Sequence, residues 1–225
     1  MPTSYRLREA PPVDTLRITE IFLSLQGESR SVGWPTVFVR LTGCPLRCVY
    51  CDTSYAFSGG ETRALPDILD TVRAFGVRHV CVTGGEPLAQ PACLALLEAL
   101  ADEGYEVSLE TSGALAIAEV DPRVVKVVDL KTPASGEAHR NLYSNIGHLL
   151  PHDQVKFVIM NGEDYRWAVE QLDQYRLAER CEVLFSPAMG AQDPKELAEK
   201  ILADRLPVRF QLQLHKILWG DERGK

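Results

Sequence analysis

Segments with the pattern of strands and segments with the pattern of helices alternate along this chain from about residue 36 to its end. The β-branched and aromatic run from Thr36 to Leu41 predicts a strand, whereas apolar residues at helical spacing between Leu65 and Phe75 predict a helix. Such alternation is typical of parallel βα units. About six units are present, fewer than the eight that close a full barrel. The sequence therefore predicts an α/β fold, a partial, open (β/α)6-type barrel, in one domain over residues 1–225.

The element boundaries follow from the same patterns. Residues 1–16 are expected to form a loose N-terminal arm, and strands are predicted at 17–25, 36–41, 79–83, 105–110, 124–130, 154–160, 181–185 and 208–214. Helices are predicted at 65–75, 91–102, 137–149, 164–175 and from Asp193, which can cap a helix that begins with Pro194. Function in barrels of this kind sits where strands end, so the polar and glycine-rich segments at those ends are the candidate site.

Composition and charge exclude several classes of function. The formal net charge is −7, which is not the basic footprint of a nucleic-acid binder. No signal peptide is evident at the start of the chain, and no apolar run approaches the length of a membrane span. We therefore expect a cytoplasmic protein with reduced thiols, and we expect Cys81, Cys93 and Cys181 to be buried and inert because they lie in apolar segments.

Three cysteines fall on one short loop. Cys44, Cys48 and Cys51 have C-x3-C-x2-C spacing, which lets one loop turn three thiolates toward a common centre. Iron–sulfur clusters normally take four cysteine thiolates, so three would leave one iron of a [4Fe–4S] cube open for chemistry. The alternatives are buried core cysteines or a structural zinc knuckle; a zinc knuckle would need a fourth ligand, and no cysteine or histidine follows nearby. With Tyr50 before the last cysteine, the loop resembles the cluster loop of the radical S-adenosylmethionine (SAM) superfamily.

Other polar positions each admit two readings. Gly84-Gly85-Glu86-Pro87 follows a strand directly and could be a tight turn or, as in the radical SAM superfamily, a segment that binds the amino group of SAM. Arg40 lies in an apolar strand and needs either an internal ion pair or an anionic ligand. Gln26 and Glu28 could form a surface turn or contact a ligand. His215, at the predicted end of the last strand, could be structural or could contact a ligand.

Several segments together resemble the 7-carboxy-7-deazaguanine synthase family over about residues 17–219. They are Leu25-Gln26-Gly27-Glu28, Phe38-Val39-Arg40-Leu41-Thr42-Gly43-Cys44, Cys51-Asp52-Thr53, Thr83-Gly84-Gly85-Glu86-Pro87, Glu110-Thr111-Ser112-Gly113 and His215-Lys216. The resemblance implies a magnesium-dependent homodimer that converts 6-carboxy-5,6,7,8-tetrahydropterin into 7-carboxy-7-deazaguanine with loss of ammonia. It also implies a [4Fe–4S] cluster, SAM as a regenerated cofactor, and a reducing partner such as flavodoxin or ferredoxin.

The resemblance assigns roles residue by residue. It implies that the cluster is held by Cys44, Cys48 and Cys51, and that Mg²⁺ is held by Thr53. The implied SAM contacts are Tyr50, Asp52, Gly85, Glu86, Ser112, Lys131, Ser186, Pro187, Ala188 and Met189. The implied substrate contacts are Leu25, Gln26, Gly27, Glu28, Arg40, Thr83 and His215.

The chain departs from the family pattern at a few positions. Ser29 stands where glycine is common, Leu214 precedes His215 where a small polar residue can occur, and Asp221 to Lys225 extends past the point where some members place their C-terminus beside the substrate. Three rival functions remain at this point: a glycyl-radical activating enzyme, a tRNA-binding radical SAM enzyme, which the acidic balance disfavours, and a zinc-stabilised binding module.

Overall fold

One nine-stranded sheet organises residues 14–225, the part of the chain that the computed structural model describes. Its strands, in chain order, are β1 (Thr15–Leu25), β2 (Pro35–Leu41), β3 (Glu61–Ala64), β4 (His79–Gly84), β5 (Glu106–Thr111), β6 (Val125–Asp129), β7 (Gln154–Ile159), β8 (Glu182–Pro187) and β9 (Arg209–Phe210). The spatial order is β3-β1-β2-β4-β5-β6-β7-β8-β9. From β2 to β9 all neighbours are parallel, whereas β1 pairs antiparallel with β2 and β3.

The sheet does not close, which confirms the predicted partial barrel. The predicted core of six parallel strands is present as β2, β4, β5, β6, β7 and β8. The strand β3 (Glu61–Ala64) has no counterpart among the predicted strands. The first strand begins at Thr15, so residues 15–16 belong to the sheet and not to the predicted arm. Residues 1–13 of that arm lie outside the described residues, and the single domain over 1–225 stays a prediction.

Within residues 14–225, five α-helices accompany the sheet: α1 (Leu65–Ala74), α2 (Cys93–Asp102), α3 (Gly162–Gln174), α4 (Pro194–Asp204) and α5 (Leu214–Trp219). Local chemistry explains their starts. The Asp193 carboxylate accepts hydrogen bonds from the backbone N–H groups of Lys195 and Glu196 at the start of α4, as predicted. The Asn161 side chain does the same at the start of α3. In both cases the cap uses N–H groups that have no partner within the helix. No helix in this part of the chain is long and apolar enough to cross a bilayer.

The prediction of a helix over 137–149 is wrong, because the segment forms only short 3-10 turns. Two asparagine side chains bind backbone groups instead. The Asn141 amide pairs with the backbone N–H and C=O of Lys131, and the Asn145 amide bonds to the backbone of Gly113, Leu115 and Ile117. Side chains of this type offer the backbone alternatives to a helix. The segment thereby fixes the loops that follow β5 and β6.

Alternate residues of the parallel strands face opposite sides of the sheet. On β2, Val37, Val39 and Leu41 are fully buried in the hydrophobic core, where each contributes roughly 1.5–3 kcal/mol. The residues between them, Phe38 and Arg40, face a cavity. The same parity holds on the neighbouring strands, whose cavity-facing positions include Thr83, Glu110, Asp129 and Lys156. One face of the sheet therefore builds the core, and the other presents polar side chains.

Candidate active site

A cavity of about 490 Å³ lies at the carboxyl ends of the parallel strands. Parallel α/β folds place ligands at this end. All of the predicted site residues line it except Glu86, Ser186 and Pro187, so the structure gathers residues that are far apart in the chain. The walls are the cysteine loop after β2, the ends of β4 to β8, the turn between β1 and β2, and α5.

The cysteine loop is joined to the glycine segment that follows β4. The backbone N–H of Glu86 donates to the carbonyl of Gly43 at 2.7 Å. Gly85 lies so close that a Cβ there would be 2.2 Å from the Gly43 carbonyl oxygen and 2.9 Å from the Cys44 Cβ. Only glycine allows this approach. The two motifs singled out in the sequence are thus parts of one unit.

The three loop thiols differ from the other three cysteines in their surroundings. Cys44, Cys48 and Cys51 are half-buried at the cavity, whereas Cys81, Cys93 and Cys181 are buried, as predicted. Burial raises the pKa of the Cys48 thiol to about 11, with Asp129 and the other two loop thiols adding to the rise. Positive charge nearby favours the thiolate of Cys48, and the Lys131 ammonium supplies part of it.

The arrangement of these thiols fits a cluster better than a single ion. Among residues 14–225, no three His, Cys, Asp or Glu side chains converge on one metal-ion position. Structural zinc needs four such ligands around one point. In a [4Fe–4S] cube each thiolate binds a different iron, so three separated thiols at one cavity wall suit it. The residues present fit the cluster that the sequence predicts.

Glu86 has a structural setting that the sequence did not indicate. It is fully buried, and its carboxylate accepts hydrogen bonds from the Thr111 hydroxyl at 2.9 Å, the Ser112 N–H at 2.7 Å, the Ser112 hydroxyl and the Leu88 N–H at 3.1 Å. These protein donors engage both oxygens. The part of this segment that faces the cavity is the backbone at Gly84-Gly85, and the direct contact of Glu86 with SAM stays a prediction.

Tyr50 and Lys131 lie together beside the thiols. The Lys131 ammonium is 5.7 Å from the centre of the Tyr50 ring and 2.9 Å from the Asp129 carboxylate. Burial alone would lower the pKa of Lys131, but Asp129 and Cys48 hold it above the ordinary value. The second oxygen of Asp129 is buried without a hydrogen-bond partner among the described residues. The Lys131 ammonium and the free Asp129 oxygen therefore suit a ligand that has one negatively and one positively charged group.

The turn between β1 and β2 forms the opposite wall. The Gln26 side-chain oxygen accepts from the Glu28 N–H at 3.2 Å, while its amide nitrogen is buried with no partner among residues 14–225. The Glu28 carboxylate forms an ion pair with Lys156 and accepts from the Gln213 amide at 2.7 Å. Burial alone would raise the pKa of Glu28, but Lys156 holds it below the ordinary value. This wall presents a buried donor and an ionised carboxylate.

His215 lies on α5, so its predicted place at the end of a strand is wrong. The last strand is only Arg209–Phe210, and the Leu214 N–H donates to the Gly27 carbonyl at 2.9 Å. A Cβ on Gly27 would be 2.1 Å from Nδ1 of His215. This contact turns the chain away from the sheet and fixes the imidazole at the cavity, where burial lowers its pKa.

Arg40 has an internal partner and also lines the cavity. Its Nε–H donates to the Glu20 carboxylate at 2.7 Å, and the Tyr55 hydroxyl donates to the same oxygen at 2.7 Å. The guanidinium lies 5.8 Å from the Phe22 ring centre and 5.9 Å from that of Tyr55. The ion pair thus holds the guanidinium through Nε. The internal ion pair expected as one alternative is present, and the position at the cavity leaves an anionic ligand possible as well.

Thr53 and Asp52 follow the last cysteine directly. The Thr53 hydroxyl donates to the Asp52 carboxylate at 2.7 Å, and the Lys216 ammonium is 3.7 Å from the other oxygen. Burial alone would raise the pKa of Asp52, but these two groups lower it below the ordinary value. A hydroxyl oxygen and an ionised carboxylate therefore stand side by side between the thiols and α5.

Comparison with known proteins decides the family. The profile of the Radical SAM superfamily matches residues 38–128. A 7-carboxy-7-deazaguanine synthase of Chlorobaculum tepidum is 44% identical over 220 residues, which are 96% of this chain and 98% of that protein. The chain belongs to the 7-carboxy-7-deazaguanine synthase family. A relative of the same name from Koribacter versatilis is 42% identical over 222 residues, 92% of this chain and 98% of that protein.

Structural comparison supports the fold of this family. The crystal structure of QueE from Escherichia coli superposes with a TM-score of 0.76 at 24% identity and covers 89% of this chain and 95% of that one. Membership in a radical SAM family implies a [4Fe–4S] cluster and SAM, and the loop thiols and the Lys131 corner suit them. The zinc module and the two other radical SAM functions considered above are disfavoured accordingly.

Several charged residues at the cavity of this member of the 7-carboxy-7-deazaguanine synthase family were not predicted as site residues from the sequence. Glu110, Asp129 and Lys156 all line the cavity, and burial, with Glu28 nearby, raises the pKa of Glu110. The signal was available, since each is a charged residue in or at the end of an apolar strand. Gln213 was missed because it lies in a segment predicted to be a strand.

Proposed function

We propose that this protein converts 6-carboxy-5,6,7,8-tetrahydropterin into 7-carboxy-7-deazaguanine with loss of ammonia, using SAM as a regenerated cofactor and Mg²⁺. The observation that carries the proposal is the 44% identity, over nearly the whole of both chains, to a protein named for this activity. The cavity supports it, because its two walls offer chemically different ligand sites.

The cofactor wall would hold the cluster and SAM. Cys44, Cys48 and Cys51 supply the thiolates. A [4Fe–4S] cluster held by these three thiolates would supply radical chemistry, by one-electron reduction of SAM, for removal of a hydrogen atom from the substrate. Lys131 offers its ammonium to a carboxylate, and the glycine backbone after β4 lets a ligand approach closely. The protein's task is orientation, because the cofactors carry the difficult chemistry.

The substrate wall would hold the pterin. The ionised Glu28 carboxylate accepts N–H groups, such as those at the amino end of a pterin ring. The unpaired amide N–H of Gln26 is available to a ring carbonyl. Arg40 offers a guanidinium to the 6-carboxylate, and such pairs fix orientation as well as affinity. The position of Arg40 four residues before Cys44 supports this role.

Magnesium would lie at Thr53. Mg²⁺ keeps several waters and takes few protein ligands, so that substrate oxygens often complete its shell. Thr53→Ala should weaken the Mg²⁺ dependence and substrate binding, and it should leave the cluster spectrum intact. If Thr53→Ala responds to Mg²⁺ as the wild type does in activity assays, Thr53 does not bind the ion, and Asp52 is the next residue to test.

The decisive experiment is anaerobic incubation of the reconstituted protein with dithionite, SAM and the carboxypterin, followed by mass analysis. The expected product is 7-carboxy-7-deazaguanine, with SAM not consumed in proportion. Iron and acid-labile sulfide analysis separates this function from a zinc module. SAM cleavage without conversion of the pterin would contradict the proposed substrate while leaving the radical SAM assignment in place.

The cellular setting is also proposed. The family resemblance supports a cytoplasmic homodimer reduced by a flavodoxin or ferredoxin, with a small-molecule substrate and no nucleic-acid or membrane partner. Light scattering of the purified protein tests the dimer, and replacement of dithionite by reduced flavodoxin tests the electron donor.

A further inference from the structure

Lys156 lies between the two walls of the cavity. It projects from β7, and its ammonium forms an ion pair with the Glu28 carboxylate of the turn between β1 and β2. On the other side it is 3.7 Å from the carboxylate of Asp129, which in turn contacts the Lys131 ammonium at 2.9 Å. Only about 11% of the Lys156 side chain is exposed. These four residues, Glu28, Lys156, Asp129 and Lys131, are here called the charge bridge.

Each end of the charge bridge serves a different ligand under the proposed function. Glu28 belongs to the substrate wall, and Lys131 belongs to the cofactor wall. Burial alone would lower the pKa of Lys156, but Glu28, Asp129 and Glu110 hold it well above the ordinary value, so the ammonium stays charged. A buried cation shared by several carboxylates responds to any change in their other partners, because interactions between buried charges are weakly screened.

A ligand at Glu28 changes how that cation is shared. N–H donors of a bound pterin compete with Lys156 for the Glu28 oxygens. The ammonium then gains from a closer approach to Asp129, which is already within 3.7 Å. Asp129 thereby shares its charge between two lysines, and Lys131 is freer to donate to the carboxylate of SAM. Binding of the pterin at the substrate wall should therefore raise the affinity of the cofactor wall for SAM.

We propose that Lys156 is a positioning residue that couples the two walls, so that the pterin and SAM each strengthen the binding of the other. This inference rests on the proposed function. Coupling of this kind is reciprocal, and its usual size is on the order of tenfold in affinity. The structural alternative is that Lys156 merely neutralises buried carboxylates, in which case its loss lowers stability and leaves the ratio of the two affinities unchanged.

The test measures SAM binding to the reconstituted protein by anaerobic equilibrium dialysis, without and with saturating carboxypterin. The wild type should bind SAM about tenfold more tightly with the pterin present. Lys156→Met keeps most of the length of the side chain and removes its charge, and it should reduce this ratio to about one while iron content stays unchanged. A ratio that persists in Lys156→Met, or a wild-type ratio of one, overturns the inference.

A matched control is available on the neighbouring strand. Lys126 on β6 is also buried and forms an ion pair with Asp153 at 2.9 Å, but it is not part of the cavity wall. Lys126→Met should lower the thermal midpoint and keep the wild-type ratio. An equal loss of the ratio in Lys126→Met would assign the effect to general destabilisation and overturn the inference.

Lys156→Arg provides a second test in case Lys156→Met does not fold. The guanidinium keeps the charge and reaches both carboxylates, so a ratio well above one is expected; a ratio of one, with both ligands still bound, overturns the inference. The proposed function is judged separately by the mass analysis of the wild type. Conversion of the pterin without coupling refutes this inference alone, whereas absence of conversion refutes the proposed function.

Discussion

The contact between Gly27 and His215 makes a one-methyl change informative. A Cβ at residue 27 would lie 2.1 Å from Nδ1, 2.9 Å from Cγ and 3.1 Å from Cβ of His215. Ordinary contact begins at 3.4 Å, so Gly27→Ala forces the imidazole to move by more than about 1 Å. A displacement of that size in a positioning group costs on the order of a hundredfold in rate.

The expected result for Gly27→Ala is therefore a fall of about a hundredfold in kcat/KM for the carboxypterin. The thermal midpoint should change little, because the displaced side chain is only half-buried and overpacking costs roughly 1–3 kcal/mol even in a full core. Iron content and SAM binding without the pterin should match the wild type. Steady-state kinetics by product formation, with calorimetry on the same samples, measures both effects.

Two further variants test the cause. Gly147→Ala is the matched control, since a Cβ at that glycine meets nothing within 4 Å, and it should retain wild-type kinetics. In a His215→Ala background, Gly27→Ala should cost much less, because Nδ1 and Cγ, the two nearest atoms, are gone and only the contact with the Cβ of residue 215 at 3.1 Å remains; the two changes are therefore coupled. Wild-type kcat/KM in Gly27→Ala, or the same loss in both backgrounds, would refute the reasoning.

Three other changes have defined outcomes. Cys48→Ala should abolish SAM cleavage and lower the iron bound per chain by colorimetric assay; full activity would contradict the cluster assignment. Arg40→Lys keeps a positive charge near Glu20 but loses Nε and the planar fork. The kcat/KM should therefore fall while SAM binding holds, and a pterin without the 6-carboxylate should be affected far less; equal loss for both pterins would make Arg40 a structural residue. Ser29 has φ +67°, a backbone region that side chains disfavour. Ser29→Gly should therefore raise the free energy of unfolding by up to about 1 kcal/mol in chemical denaturation, less what is lost with the hydroxyl contact to Ser31 at 3.2 Å. A lower denaturation midpoint would contradict the strain argument.

Local patterns predicted the position of the residues proposed for the cofactor wall. The cysteine loop and Gly84-Gly85 are short, contiguous motifs whose chemistry depends on few neighbours, and both were placed at the cavity. The buried strands were also predictable, because Val37, Val39 and similar residues follow a simple alternation. Family membership then accounts for the open sheet that these strands build.

The remaining features depend on contacts between distant residues. The apolar run before His215 has the pattern of a strand, but the hydrogen bond from the Leu214 N–H to Gly27 ends the sheet early. The segment 137–149 fails to form a helix because Asn141 and Asn145 bind loops that precede it in the chain. Lys156 was missed because its partner Glu28 is 128 residues away, and no local pattern connects them.

The substrate wall has a consequence for how the protein is made. Gln213 donates to Glu28 across 185 residues of sequence, and Leu214 closes on Gly27, so this wall joins segments from near both ends of the sequence. The residues proposed for the cofactor wall end at Met189, just after β8. During synthesis, which proceeds from the N-terminus, the residues proposed to hold the cluster and SAM are all made before α5. A nascent chain stalled before residue 213 would therefore contain every residue proposed to bind the cluster and SAM, but it would lack Gln213 and His215 of the proposed substrate wall.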